Sequence, residues 1–516
     1  MTSHTLEPAI VRWLEAVTMV SKRVLSYLGY ALLGLLCVAP AFAGMKLPAA
    51  TPMIPMEQVG PMSIAFNPKP YDQVVQVASG GSIAAALAKI QDAGPDNRYA
   101  VLVATGTYSG AGLQLKEYVD LYGGFDGLNW KARDVYENAT VLDGQKKGPI
   151  VIGANNARID GFAITNGQCN THGAGILCDA VSPTIVNNII VGNRTTEPDG
   201  FYGHLGKQVG SEGAGIMLLN GSSAYVSNNL FGENVTNVGS GAGISARNGV
   251  NAKILRNVFA NHTAGMEDTA VYHGKIGSRS SPGAAIACAE ASSPQISFNI
   301  MVMGKALHKN DAGGVWVEGN SMPLISYNWI AGNIAYDDGG GIYVMGNLYY
   351  DEEGKRHDLS PDGPAVIEDN FIVGNTSITG HPGGLRVSRW GRANLRRNRI
   401  VANPTGGAIG AEGGILALME NDIITDNEKD SKLRVVLTGN ITSKKFNPVY
   451  YVTQMTTSTN LAEQDLAGAM VRIGETWSVV KSSSQRGLVV WGKIDDSAAK
   501  FEILDNYGAY TNPYVD

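Results

Sequence analysis

The chain has 516 residues, of which 44% are hydrophobic and only 17% charged, and it carries 64 glycines. Against averages of about 25% charged and about 7% glycine, this excludes a disordered chain or a charged helical bundle and points to a turn-rich β protein. Its 40 basic and 46 acidic residues leave a net charge of −6, so no global positive field is available to hold nucleic acid or an anionic membrane, and neither is expected as a partner.

In chain order, Ser21-Lys22-Arg23 precedes an apolar run from Tyr27 to Pro40, and Ala41-Phe42-Ala43 ahead of Gly44 offers the small residues a signal peptidase needs. Residues 1–43 therefore read as a Sec signal peptide, with Met19 as an alternative start. The protein is expected to be secreted, periplasmic or on the cell surface, and free of the membrane after cleavage. Residues 44–72 read as an extended linker. Ser82–Gln91 has the period of an amphipathic helix, and Tyr99–Tyr108 and Val119–Phe125 read as strands. Laid over the first turn of a repeat array, such a helix would cover an open apolar end. The three cysteines left after cleavage make no disulfide framework. A Cys169–Cys178 bridge stays open, and Cys288 reads as core.

From about residue 156 the chain repeats itself. The unit runs Gly-x-Gly-Ile, a short strand, a turn, then Ile-x-x-Asn-x-Ile-x-x-Asn, as in Gly173–Ile176 followed by Thr184–Asn193. One asparagine position runs through Asn188, Asn229, Asn257, Asn299, Asn328, Asn370 and Asn398, with Asp422 in the same place. Short alternating apolar stretches are strands with one inward face, and an asparagine recurring at a bend is an inward amide that bonds its copies above and below. The fold expected is all-β: a right-handed parallel β-helix over residues 73–428, with an N-terminal capping helix and a small β-rich C-terminal cap or domain over 429–516.

Spacings between these asparagines alternate short and long, so every second coil carries an insertion: Arg194–Glu212, His262–Pro282 and Gly346–Gly363. Placed at both ends of one strand row, they would wall a groove floored by that row's outer face. Outward positions in the row are Leu177, Met217, Ser245, Ala287, Trp316, Tyr343, Arg386 and Leu416, and two residues further on lie Asp179, Arg247 and Glu318. A Trp316-Tyr343-Arg386 stripe suits a uronic-acid polymer, since sugar rings stack on aromatics and guanidinium grips carboxylate. Trp316, Glu318, Arg247 and Arg389 are thus the expected substrate contacts, and an acidic polysaccharide is the expected partner of a monomeric protein. Asp337 and Asp338 end the turn before Tyr343, where paired carboxylates would hold Ca²⁺ or act as acid and base; Asp and Gly also suit a tight turn.

The helix, the Val-x-Val-x-x-Gly-Thr-Tyr strand, Tyr122-Gly-Gly-Phe125, Thr140-Val-Leu-Asp-Gly144 and the Asn-x-Ile coils resemble the pectate lyase-like right-handed β-helix superfamily over residues 73–428. This superfamily includes lyases, hydrolases, epimerases, adhesins and binding proteins, so the fold implies no single activity. Its lyases use a lysine or arginine base on the groove floor. The resemblance makes Arg386 the first candidate and Lys275 the next, with Tyr343 and His381 as further catalytic candidates. Polygalacturonases of the superfamily carry Asp-Asp, Gly-His-Gly and Arg-Ile-Lys in series. Here Asp337-Asp338, Gly380-His381-Pro382 and Arg386-Val-Ser388 keep that order but match poorly, with Asp338 to His381 a coil too long unless the insertion accounts for it. The leading expectation is a lyase that cleaves an acidic polysaccharide by β-elimination. The alternative is a non-catalytic glycan-binding or structural β-helix, followed by a glycoside hydrolase or uronan epimerase.

Overall fold

The computed structural model describes residues 54–507, except 197–210, 267–281, 309, 351–355, 429–430 and 463. The leader and Lys275 lie outside the described residues. Four parallel sheets of 12, 11, 10 and 7 strands stack strand on strand along the molecule. Successive coils visit them in a fixed order, for example Ile176–Asp179, Thr184–Val186, Ile189–Val191 and Arg194–Thr195. We call these the site sheet, the back sheet, the barrel-side sheet and the short sheet. The chain is a parallel β-helix.

The asparagines enforce the bend between back and barrel-side sheets. The residue before each takes the left-handed conformation, as at Asn187 and Asn228 (both φ 55°), turning the next amide inward. Asn299 donates its backbone N–H and its Nδ2–H to Asn328 Oδ1 at 2.9 and 3.1 Å, and Asn328 repeats both bonds to Asn370 Oδ1 at 3.0 and 2.9 Å. The ladder runs from Asn188 to Asp422, whose Oδ1 accepts both bonds from Asn398 at 2.8 Å. A second ladder five residues on bends the chain from the barrel-side sheet to the short sheet, as in Asn333 to Asn375 to Asn403. His262 takes one rung of it, accepting the Asn234 N–H on Nδ1 at 3.2 Å; burial drives its pKa down to about 3, so it stays neutral.

Inside the tube, Ile176, Ile216, Ile244, Ile286, Val315, Ile342 and Leu385 form one continuous apolar column. At the N-terminal end the helix Ile83–Lys89, capped by Ser82 Oγ, which accepts the Ala85 N–H at 3.1 Å, buries Ile83, Leu87 and Ile90 against this core. Residues 54–71, within the stretch read as an extended linker, lie along the solenoid. Asn228 Nδ2 donates to Gln58 O at 2.6 Å, Met62 N to Asn187 Oδ1 at 3.3 Å and Tyr71 OH to Asp120 at 2.7 Å. Cys169, Cys178 and Cys288 are buried free thiols.

Beyond the last coil, residues 435–504 form a closed six-stranded barrel. It docks on the flank, not on the end. The outer residues of the barrel-side sheet, including Leu230, Val258, Ile300, Trp329, Phe371 and Val401, share one core with Tyr451, Met470, Trp477 and Trp491 of the barrel. Trp329 Nε1 donates to Gly468 O at 3.1 Å across this contact.

Candidate functional site

Strand register places Leu177, Met217, Ser245, Ala287, Trp316, Tyr343 and Arg386 in one outward row of the site sheet. The row ends on Gly410, not Leu416, because Gly406-Gly407 turns the chain one step earlier and sets Ile409 beside Leu385; Leu416 belongs to the back sheet. Trp316 and Tyr343 point outward but are 0% exposed, packed with Ala287, Ala289, Ala312 and Met345. Neither ring has a face open to a sugar. Tyr343 is no free base either: its hydroxyl bonds Ser388 Oγ at 2.7 Å, and burial raises its pKa further. Arg247 is buried in ion pairs with Glu212 at 2.8 Å and Glu290 at 2.9 Å, and half-buried Glu318 adds to the field around it. These contacts make Arg247 and Glu318 parts of a closed charge cluster, not an open binding floor.

The reactive groups gather at the entry to the row. Four residues ahead of each strand start lies one aligned position, occupied in successive coils by His172, Glu212, Ser240, Pro282, Asp311, Asp338 and His381. Backbone bonds keep this column in step: Gly283 N donates to Asp311 O at 3.1 Å and Ala312 N to Asp338 O at 2.9 Å. Gly339 (φ 59°) is required just after Asp338, where a Cβ would fall 2.4 Å from Ile342 O. Asp338 N donates to Asp311 Oδ1 at 3.1 Å, Arg386 Nη1 pairs with Asp338 Oδ1 at 3.0 Å, and His381 Nδ1 contacts the same oxygen. His381 Nδ1 also lies 3.2 Å from Asp337 Oδ1, which accepts the Thr379 hydroxyl at 2.9 Å. Glu412, with an 87% exposed side chain, reaches Arg386 Nη2 at 3.3 Å. The insertion after Met345, which contains the antiparallel pair Asn347–Tyr350 and Arg356–Leu359, supplies the extra spacing between Asp338 and His381.

Burial is the main electrostatic force here. It pushes the Asp311 carboxyl up to about 8, with the Asp338 charge adding to it. Burial also raises Asp338, against the opposing pull of Arg386 and His381. The raised carboxyl of Asp311, a half-buried residue, thus shares the entry to the row with Asp338 and with half-exposed Asp337 and His381. Arg386 is buried and ion-paired with Asp338 and Glu412. Arg389 is exposed, and its charge reaches Asp311 and Tyr343; next to it Trp390 is 53% exposed.

Asp337, Asp338 and His381 each present one donor atom within 4.8 Å of the others. The set does not fit Ca²⁺, which takes six to eight oxygen ligands, because one donor is an imidazole nitrogen and Asp338 Oδ1 already meets Arg386 and His381. Sequence reasoning missed Asp311 and Trp390. Asp311 was legible in the aligned column, since it lies four residues before Val315 as Asp338 does before Ile342. Comparison with protein families, curated proteins and solved structures finds no match for this chain.

Proposed function

We propose that the protein is an exported enzyme of the pectate lyase-like superfamily that hydrolyses an acidic, uronate-containing polysaccharide at the Asp311–Asp338–His381 cluster. The observation that carries this reading is the convergence, from three successive coils, of Asp311, Asp337, Asp338 and His381, with the Asp311 carboxyl pushed up to about 8. A carboxyl raised by burial, set near a second carboxyl, is the arrangement from which acid and base roles are drawn. Asp311 Oδ1 accepts a backbone N–H, so its proton resides on Oδ2 and is given to the departing glycosidic oxygen. Asp337, steadied by His381 and Thr379, takes the proton of the water that adds to the anomeric carbon. Trp390 offers an open ring face for stacking, and Arg389 an exposed guanidinium for a uronate carboxylate.

β-Elimination is the second reading. Arg389 favours it, being an exposed arginine with no ion pair among the described residues; arginine serves as a base only after losing a proton it holds far above neutral pH. Incubation with pectate, alginate and glycosaminoglycans, followed both as new reducing ends and as the ultraviolet absorbance of an unsaturated uronate, separates the two. Hydrolysis gives reducing ends without absorbance, and elimination gives both. Binding without either product would leave a glycan-binding scaffold and overturn the enzyme.

A further inference from the structure

One lysine of the barrel differs from its neighbours. Lys481, in the strand Thr476–Ser484, is half-buried, and among the described residues its amine makes no hydrogen bond or ion pair. Other barrel lysines are engaged: Lys493 lies 3.8 Å from both Glu233 and Asp495, and Lys444 donates to Ala498 O at 3.2 Å. Lys481 meets ring faces instead. Its Nζ lies 4.4 Å from the ring centre of Trp491, 5.6 Å from that of Tyr450 and 6.0 Å from that of Tyr136. Trp491 and Tyr450 belong to the barrel, whereas Tyr136 comes from the solenoid, between the strands Val119–Phe125 and Thr140–Asp143, and stacks on Tyr450 with ring centres 4.4 Å apart. Both tyrosine hydroxyls are turned to other partners, Tyr136 donating to Pro61 O at 3.2 Å and Tyr450 to Glu137 Oε1 at 2.9 Å. The niche thus sets an amine among three aromatic walls and gives it no carboxylate partner.

We propose that Lys481 is a reactive amine that captures an uncharged aldehyde as an imine in this niche. The neutral Nζ adds its lone pair to the carbonyl carbon, a proton passes from nitrogen to oxygen, and loss of water leaves the C=N bond; addition of water reverses the step. A lysine desolvated among apolar groups is the residue suited to this chemistry, because burial leaves more of it in the neutral form. Burial lowers the Lys481 pKa to about 8, while the ring faces attract the ammonium and offset part of that effect. The aromatic walls stack on a planar aldehyde body. An anionic aldehyde is disfavoured, since exposed Glu137, held by the Tyr450 hydroxyl, lies beside the niche. None of Asp311, Asp337, Asp338 and His381 takes part, so this amine stands apart from the proposed hydrolysis.

The test is reductive trapping on the full chain: incubation with benzaldehyde near neutral pH, borohydride reduction of the imine to a secondary amine, and peptide mass spectrometry to rank the lysines. Lys481 should be modified about tenfold or more faster than exposed Lys445 and Lys500, because ordinary lysines titrate near about 10.4 and are almost wholly protonated there. That lead should shrink as pH rises into the ordinary lysine range, where every amine is neutral. With glyoxylate, an anionic aldehyde, the ratio of Lys481 to Lys445 modification should be smaller than with benzaldehyde. Lys481→Met, checked for unchanged circular dichroism, should lose the fast phase and leave the slow one. Modification of Lys481 no faster than of Lys445 in the parent chain would overturn the proposal, as would a lead that is the same at every pH, or a larger ratio with glyoxylate.

Discussion

Asp311 decides whether the site can supply a proton near neutral pH. Its folded pKa is raised to about 8 from the usual 3.8, so between those values the folded state binds more protons than the unfolded one and stability falls as pH rises. Asp311→Asn should therefore be more stable than the parent at pH 8 to 9, with the difference vanishing below the unfolded carboxyl range; thermal melts across pH check this. The same variant should lose about 100-fold or more in turnover, as general-acid catalysis contributes roughly 10²–10⁴. In the parent, activity should decline as pH passes about 8. Because the donor set does not fit Ca²⁺, a chelator should leave initial rates unchanged; a rate abolished by chelator and restored by Ca²⁺ would contradict this. Strand alternation told which way Trp316 and Tyr343 point, since direction follows from period two. It did not tell that both rings are buried, because they pack on side chains that neighbouring coils bring together, such as Ala287, Ala289 and Met345, which alternation within one strand does not reveal.

The asparagine ladder is the element on which coil registry rests. Asn328 Oδ1 accepts two bonds from Asn299, and its Nδ2 donates to Ile296 O and to Asn370 Oδ1, both at 2.9 Å. Asn328→Ala would leave these buried partners unpaired, at about 1–3 kcal/mol for each group left unsatisfied. A loss of about 3 kcal/mol or more is expected in denaturant unfolding, and a loss below about 1 kcal/mol would mean that water replaces the amide. This ladder was legible because a buried amide at a bend must repeat at every coil. The covering of the barrel-side sheet was also written in the chain, as Ile189-Ile190-Val191 and Val258-Phe259-Ala260 are apolar at consecutive positions, the pattern of a strand buried on both faces. What the pattern does not name is the element that covers them.

On the scale of the whole molecule, the solenoid and barrel share one apolar interface, and glycines set its closeness. A Cβ on Gly374 (φ 64°) would fall 2.2 Å from the Trp477 ring. Gly374→Val should push the barrel off its seat and lower hydrogen-exchange protection over residues 452–504, while the ladder amides Asn299 and Asn328 stay protected. Equal loss in both regions would show one cooperative unit. Stacked parallel coils make a rigid support, so the carboxyls of Asp311 and Asp338, in neighbouring coils of one column, are held at a spacing fixed by strand separation. We infer that this column performs acid–base hydrolysis. Digestion of an acidic polysaccharide in heavy-oxygen water, with the products read by mass spectrometry, tests it most directly. Hydrolysis at this column puts one heavy oxygen on each new reducing end, and Asp311→Asn abolishes it; an unlabelled product bearing a new double bond would rule hydrolysis out.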